Sequence, residues 1–400
     1  MKLLYLAYKN LISKPLNTIL SVSLLLLSIS LTTFVLQVRN QLNQHLENNT
    51  KPFDMVIGAK GSPLQLVLSS VLHIDDPTGN IPLDEALKIT KNPMVKETIP
   101  VSYGDNYRGY RILGTSNEYL TKYDATLQEG KLYEKPFEVV IGNEVAKKIN
   151  LQIGDTFVSA HGLAENGLET HDEKPFIVTG ILKPTGAIID HLIITNLQSI
   201  WEVHEHNDEH NHHEEEHEEQ REITSLLVKF RNPFGALQMS RRINEKTTMQ
   251  AALPKFEIER LMRFLGIGFR TINGIAIAIL LVAGLSIFIN LIKTVRERKQ
   301  ELALLRTYGA NTFQLIKLVF LEALFLSLLG SILGWFLGRI SIWFFSVFTE
   351  NIYRYNFVFS FPTNKELFIL ILVILTTFLA AILASLSLFK LNVSKTISNA

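Results

Sequence analysis

The sequence predicts an α-helical membrane protein with four transmembrane helices and an α+β extracytoplasmic domain inserted between helices 1 and 2. Three observations carry that prediction. Four long apolar runs lie near the two ends of the chain. Residues 41–262, between the first two runs, are more polar and patterned like strands and short helices. Lysine and arginine crowd the short loops of one side. Averages over the 400 residues, a net charge of +1 and 47% hydrophobic residues, hide this division.

Leu16–Val38 is an uncharged run of about 23 residues, enough at helical rise to cross a hydrocarbon core of roughly 30 Å. Ile267–Leu291 is the second run, with Arg270 near one end. Leu318–Gly338, continued by the aromatic-rich Ile340–Phe348, is the third, and Leu367–Phe389 the fourth.

Lys2, Lys9 and Lys14 precede the first run. Lys293, Arg296, Arg298, Lys299, Arg306 and Lys317 follow the second, and Lys390 and Lys395 follow the fourth. The positive-inside rule puts all three clusters, and both termini, in the cytoplasm. The first run is long for a secretory signal, and Phe34–Asn40 offers no small-x-small cleavage site, so it is expected to stay as a span. Leu3, Leu4, Ala7 and Leu11 before it suggest an amphipathic helix at the interface. The organisation expected is 1–40 for this helix and span, 41–262 for the inserted domain, and 263–400 for the remaining spans.

There is no cysteine, so a hydrophobic core rather than disulfides must hold the inserted domain. Strand candidates are Thr98–Tyr103, Tyr107–Gly114, Phe137–Gly142, Thr156–Ala160, Phe176–Leu182, His191–Thr195 and Thr224–Phe230, rich in Val, Ile, Phe and Tyr. Helices are expected at Pro63–His73, Leu83–Lys91, Asn143–Asn150 and Arg231–Leu253, the last leading back to the membrane. Ile57–Pro63 is glycine-rich but lacks the phosphate-loop spacing and is expected to be a plain turn. No nucleotide-binding motif occurs elsewhere.

Residues 296–310 join the second and third runs. Read as a helix, they put Leu302 and Leu305 on one face with Arg298 and Glu301 beside it. Arg306 falls in the last turn, where a cation suits the helix dipole, and Gly309 stands where a left-handed C-cap belongs. Such a helix can dock its apolar face into a groove of a soluble partner. An ordinary charged loop would look similar.

Glu297–Ala310 together with Leu318–Gly338 resembles the signature of the MacB/FtsX family of ABC-transporter permeases. Glu138–Phe157 (EVVIGNEVAKKINLQIGDTF) and Phe176–Thr195 (FIVTGILKPTGAIIDHLIIT) resemble the core of its periplasmic domain. The resemblance spans Tyr5–Leu36, 138–195 and 266–389. It implies that Glu297–Ala310 is a coupling helix touching a separate ABC ATPase, which would carry ATP and magnesium. It further implies pairing with a second permease chain, as homo- or heterodimer, in a bacterial inner membrane. Mechanotransmission would then export or extract a lipoprotein, peptide or hydrophobic compound on the outer side, with a membrane-fusion or other periplasmic protein as partner. FtsX-like members instead signal to a cell-wall hydrolase, and that alternative stays open. No catalysis, cofactor or nucleic acid is expected on this chain.

Three further features bear on mechanism. Gly330, Gly334 and Gly338 form a stripe along the third run, a helix-packing face within the chain or across a dimer. Glu322 is about one turn in from Lys317, expected to stay solvated near the headgroups. The family signature carries a glutamate there, implying a role in positioning the coupling helix. Finally, an insertion at 202–222 holds His204, His206, His210, His212, His213 and His217 among many glutamates. It contains formal zinc-protease spacings, but a tract of His and Glu generates these by chance. A solvated acidic insertion and a loose zinc site of neutral imidazoles both fit it, and the latter leaves zinc-linked transport as a further alternative.

Overall fold

The computed structural model describes residues 3–13, 15–159, 175–205, 221–353, 357 and 361–389. The chain divides into two compact units, one of residues 1–42 and 264–400, the other of residues 43–263. Each is described by itself.

The chain opens with α1 (Leu3–Ser13) and α2 (Pro15–Thr50), the latter with proline in its first turn, where its missing N–H costs nothing. Ala7 and Leu11 of α1 turn towards protein, whereas Leu4, Tyr5, Tyr8 and Ile12 make an exposed apolar face. The sequence had grouped Leu3, Leu4, Ala7 and Leu11 as one interfacial face; Ala7 and Leu11 instead pack inward, and Leu4 with its exposed neighbours leaves a face suited to the lipid interface.

The inserted unit is a mixed sheet of ten strands among the described residues. Its elements begin with β1 (Met55–Ala59), α3 (Pro63–Ser70), β2 (Ile81–Pro82) and α4 (Leu83–Lys88). Next come β3 (Val95–Tyr107), β4 (Tyr110–Thr115), α5 (Glu118–Lys122), β5 (Leu127–Gly130), β6 (Glu138–Ile141) and α6 (Asn143–Ile149). β7 (Thr156–Phe157), β8 (Phe176–Leu182), β9 (Ile193–Thr195), α7 (Leu197–Glu205) and β10 (Glu222–Ile223) follow. The unit continues through β11 (Ser225–Phe230), α8 (Pro233–Lys246) and β12 (Met249–Ala252).

The strands lie in the order β12-β1-β11-β3-β4-β9-β6-β8-β5, with β7 beside β8, and β2 pairs with β10 apart from the sheet. The β4–β9 and β6–β8 pairs are parallel and the others antiparallel. β3 turns into β4 through Arg108 and Gly109, both at positive φ (47° and 75°), the backbone that two-residue hairpins require. Two cores share the sheet. One gathers Met55, Ile57, Leu226 and Val228 under α8; the other gathers Ile112, Val139, Ile141 and Phe176. Each such buried side chain contributes about 1.5–3 kcal/mol, which lets a cysteine-free domain stand.

Two expectations need correction here. Ile57–Ala59 is not a turn but the end of a buried strand, and the turn is confined to Lys60–Ser62 before Ser62 caps α3. Gly58 leaves room for Leu66: a Cβ there would meet Leu66 Cδ1 at 2.5 Å and the Thr224 carbonyl at 3.2 Å, so the leucine would have to shift. Arg231–Leu253 is not one helix either. α8 stops at Lys246, and Met249–Ala252 forms an edge strand whose Met249 and Ala251 enter the core. Strand β5 went unforeseen because its residues are mostly exposed and polar.

The chain then forms α9 (Pro254–Glu297), α10 (Lys299–Thr307), α11 (Thr312–Tyr353) and α12 (Asn364–Phe389). Among the described residues, four helices are long and apolar enough to cross a membrane: α2, α9, α11 and α12. Their shared core includes Leu25, Ile29, Ile287, Leu326, Val373 and Ala381. The glycine stripe of α11 packs against α2 of the same chain. A Cβ at Gly330 would meet Leu25 Cβ at 2.8 Å, one at Gly334 would meet Leu26 O at 2.9 Å, and one at Gly338 would meet Ser30 O at 3.0 Å. Close backbone approach of this kind is how small residues drive association in lipid.

Candidate functional site

The turn between α9 and α11 is built from the residues the sequence singled out. α9 ends at Glu297, and Arg298 breaks the helix with φ −99° and ψ 15°. α10 closes at Tyr308, after which Gly309 takes φ +93° and the Ala310 N–H reaches back to the Leu305 carbonyl at 2.9 Å. That is the left-handed cap expected of Gly309. Asn311 then starts the next helix, its N–H donating to Gln314 Oε1 at 3.1 Å.

Glu322 is not solvated, as the sequence suggested, but 4% exposed. Its carboxylate accepts from Asn10 Nδ2 of α1 at 2.5 Å and pairs with Arg298 Nη1 at 3.5 Å. Arg298 Nε also donates to Glu301 Oε2 at 2.7 Å. Three elements therefore meet at one carboxylate: α1, α11, and the break between α9 and α10. The sequence missed Asn10, which is polar on the inward side of α1 and faces the only acid nearby in α11.

The face of α10 also needs correction. Leu302 is 4% exposed and, with half-buried Leu305, packs into the chain's own helical core. It offers no surface to a partner. The outward face carries Gln300, Leu304, Thr307 and Tyr308, with Leu304 49% and Tyr308 86% exposed. Helical spacing alone placed the apolar stripe, but it could not say that the stripe pins α10 to its own bundle. Glu297 and Glu301 stay exposed, Arg306 is half-buried, and Ala310 lies in the cap.

A second polar node went unforeseen. Arg339 of α11 and Glu366 of α12 pair at 2.9 Å, and Trp335 Nε1 donates to the same carboxylate at 3.2 Å. Gln37 Nε2 of α2 and Thr363 Oγ1 donate to its other oxygen. Arg339 lies roughly 25 Å along α11 from Glu322, by helical rise. The signal available was an arginine immediately after the glycine stripe and a glutamate opening the last span.

Inside the inserted domain, His73 is buried between two tyrosines. Its Nδ1 is 2.5 Å from Tyr103 Oη and its Nε2 is 2.8 Å from Tyr119 Oη. Tyr103 donates its own proton to the Ser69 carbonyl, so Nδ1 bears the ring proton and Nε2 accepts from Tyr119. Burial, then the nearby Arg111 guanidinium, lower the His73 pKa to about 3.

Of the six tract histidines, only His204 falls within the described residues, on the backbone of α7; His206, His210, His212, His213 and His217 lie outside them. Among the described residues, no group of three or more His, Asp or Glu side chains could hold a metal ion.

The MacB-like periplasmic core domain profile matches residues 18–246, and the FtsX-like permease C-terminal profile matches residues 273–393. The chain belongs to the MacB/FtsX-type permeases of ABC transporters. It is a multi-pass membrane protein of a family whose members work with ABC ATPase partners. A relative is the lipoprotein-releasing system transmembrane protein LolC of Buchnera aphidicola, 21% identical over 222 residues. That match covers 53% of this chain and 50% of LolC, so the chain spans about half the length of that relative. Two solved structures are also similar. The periplasmic region of MacB from Actinobacillus actinomycetemcomitans has 12% identity and TM-score 0.35, over 54% of this chain and 97% of that one. The extracellular domain of the ABC-type transporter YknZ from Gram-positive bacteria has 11% identity and TM-score 0.30, over 49% and 98%.

Proposed function

We propose that this chain is a mechanotransmitting permease subunit that couples a cytoplasmic ABC ATPase to a substrate handled beyond the membrane. One observation carries the reading: Glu322 ties the turn before α10 to α1 and α11 through Arg298 and Asn10. A push on the exposed face of α10 is then borne by a charged joint rather than lost in a slack loop. The positive-inside rule, applied to the lysine and arginine clusters, supports a bacterial inner-membrane topology with α10 and both termini on the cytoplasmic side and the inserted domain outside. A second permease chain completes the assembly. LolC, by its name, belongs to a lipoprotein-releasing system, which favours a lipoprotein over a peptide or other hydrophobic compound as substrate.

Affinity purification of the tagged chain in mild detergent, with mass spectrometry of what co-purifies, tests this. Recovery of an ABC ATPase together with a lipoprotein carrier or a membrane-fusion protein is the expected result. Recovery with a cell-wall hydrolase would replace transport by signalling. Repeated absence of any ATPase, under conditions that hold a control permease and ATPase together, would overturn the coupling role.

A further inference from the structure

Between α4 and α8 the inserted domain carries a cavity of about 610 Å³. Its floor is the edge of one hydrophobic core, where Met239, Ile243 and Met249 are buried. Its rim is cationic: Lys88 at the end of α4, Lys91 just beyond, and Arg242 and Lys246 one turn apart on α8. Glu85 is the one acidic residue lining it. These four cations are exposed, and among the described residues none has an ion pair or side-chain hydrogen bond. By contrast Arg241, their neighbour on α8, is paired with Glu245 at 2.8 Å.

Four cations around one concavity repel one another, the single carboxylate of Glu85 offsets this only in part, and an anion placed there would relieve it. The volume falls in the range of small-molecule sites. Two methionines in the floor give an adaptable apolar surface, better suited to a flexible chain than to a rigid ring. A head and a body of opposite character are thus specified at one place.

We propose that this cavity binds an anionic amphiphile, its phosphate or carboxylate head held by the four cations and its apolar chain laid on Met239 and Met249. The assignment stands apart from the ATPase-coupling reading and survives its failure. The head has two sources, a membrane lipid or a freely soluble amphiphile.

The chain has six methionines, so methyl NMR of the full-length protein in phosphatidylcholine nanodiscs reads the site directly. Octyl phosphate is expected to shift the Met239 and Met249 methyls saturably while leaving Met55, deep in the sheet, unmoved. Arg242→Gln with Lys246→Gln should weaken that response about tenfold, and added salt should weaken it further. Both positions are exposed, and an unchanged Met55 resonance certifies that the variant is folded. The same shifts on replacing phosphatidylcholine by phosphatidylglycerol, without added ligand, would identify the lipid headgroup as the source. Shifts with octyl phosphate alone would identify a soluble amphiphile. Methyls unmoved by either, equal shifts with neutral octyl glucoside, or a response indifferent to the double substitution would each overturn the site.

Discussion

Arg339 and Glu366 form an ion pair at 2.9 Å whose side chains are only 2% and 1% exposed. Arg339 also lies over the Trp335 ring, 5.2 Å from its centroid. Polar groups at such depth mark places where a membrane protein is either fastened or worked. Removing one partner strands the other charge in a dry interior, a loss of about 3–5 kcal/mol in comparable buried pairs. Arg339→Met and Glu366→Met are each expected to unfold at lower denaturant in detergent, and the double variant to recover most of the loss. A double variant no better than the worse single one would show that the pair is not the unit that matters.

The glycine stripe gives a contrast within one protein. A methyl at Gly334 would press on the Leu26 carbonyl and Ile29 Cβ, both 2.9 Å away, whereas one at Gly284 of α9 would meet nothing within 4 Å. Gly334→Ala is therefore expected to destabilise the helical unit by about 1–3 kcal/mol. Gly284→Ala should be neutral or mildly stabilising, since alanine is the better helix former. Thermal unfolding of the two purified variants side by side decides it; equal midpoints would refute the packing role of Gly334.

Apolar runs and turn chemistry were legible from the sequence because they are local. The four spans follow from unbroken apolar length, and the Gly309 cap from one residue that tolerates positive φ. What escaped depends on partners far along the chain. Glu322 reads as a headgroup-level acid until Asn10, 312 positions away, is brought against it. Leu302 reads as a docking residue until Leu291, Leu315 and Val319 are seen to share its cluster. Met249–Ala252 reads as the end of a helix until β1 pairs with it. Periodicity shows which residues share a face, but burial decides whether that face looks in or out.

His73 makes the inserted domain sensitive to acid. Its pKa is lowered in the fold to about 3 from an ordinary 6.5, so the unfolded chain binds the extra proton first. Stability from this group is present above about pH 6.5 and is lost as pH falls towards 3, with a limiting slope near 1.4 kcal/mol per pH unit. Asparagine tolerates the positive φ of 52° found at His73 and does not titrate there. His73→Asn should start from a lower stability but show a flatter acid limb, measured by hydrogen exchange of the inserted domain between pH 4 and 7. An unchanged slope would place the acid sensitivity elsewhere.

Zinc binding by the 202–222 insertion, proposed from its histidines, is open to a direct titration. Calorimetry of the full-length chain is expected to show uptake of zinc that disappears when residues 204–219 are deleted and weakens below about pH 6 as imidazoles protonate. Uptake that persists after the deletion would rule the tract out as the site.

Under the coupling role proposed for α10, its two faces separate fold from coupling. Leu304 and Tyr308 point outward and touch no core, so Leu304→Asp with Tyr308→Ala should leave insertion and thermal stability unchanged. Each truncated or charged contact in a helix-in-groove interface removes apolar burial from the partner, so ATPase recruitment and substrate-stimulated hydrolysis should fall by an order of magnitude or more. Leu305→Asp strikes the inward face and is expected to lower the yield of folded protein before coupling can be read. Gly309→Val forces a β-branched residue to φ +93° with open space around it, so it strains the cap alone. It should stiffen or misplace the turn and uncouple hydrolysis from substrate while leaving the ATPase bound. Full coupling in the Leu304→Asp/Tyr308→Ala chain would mean that the ATPase grips some other surface.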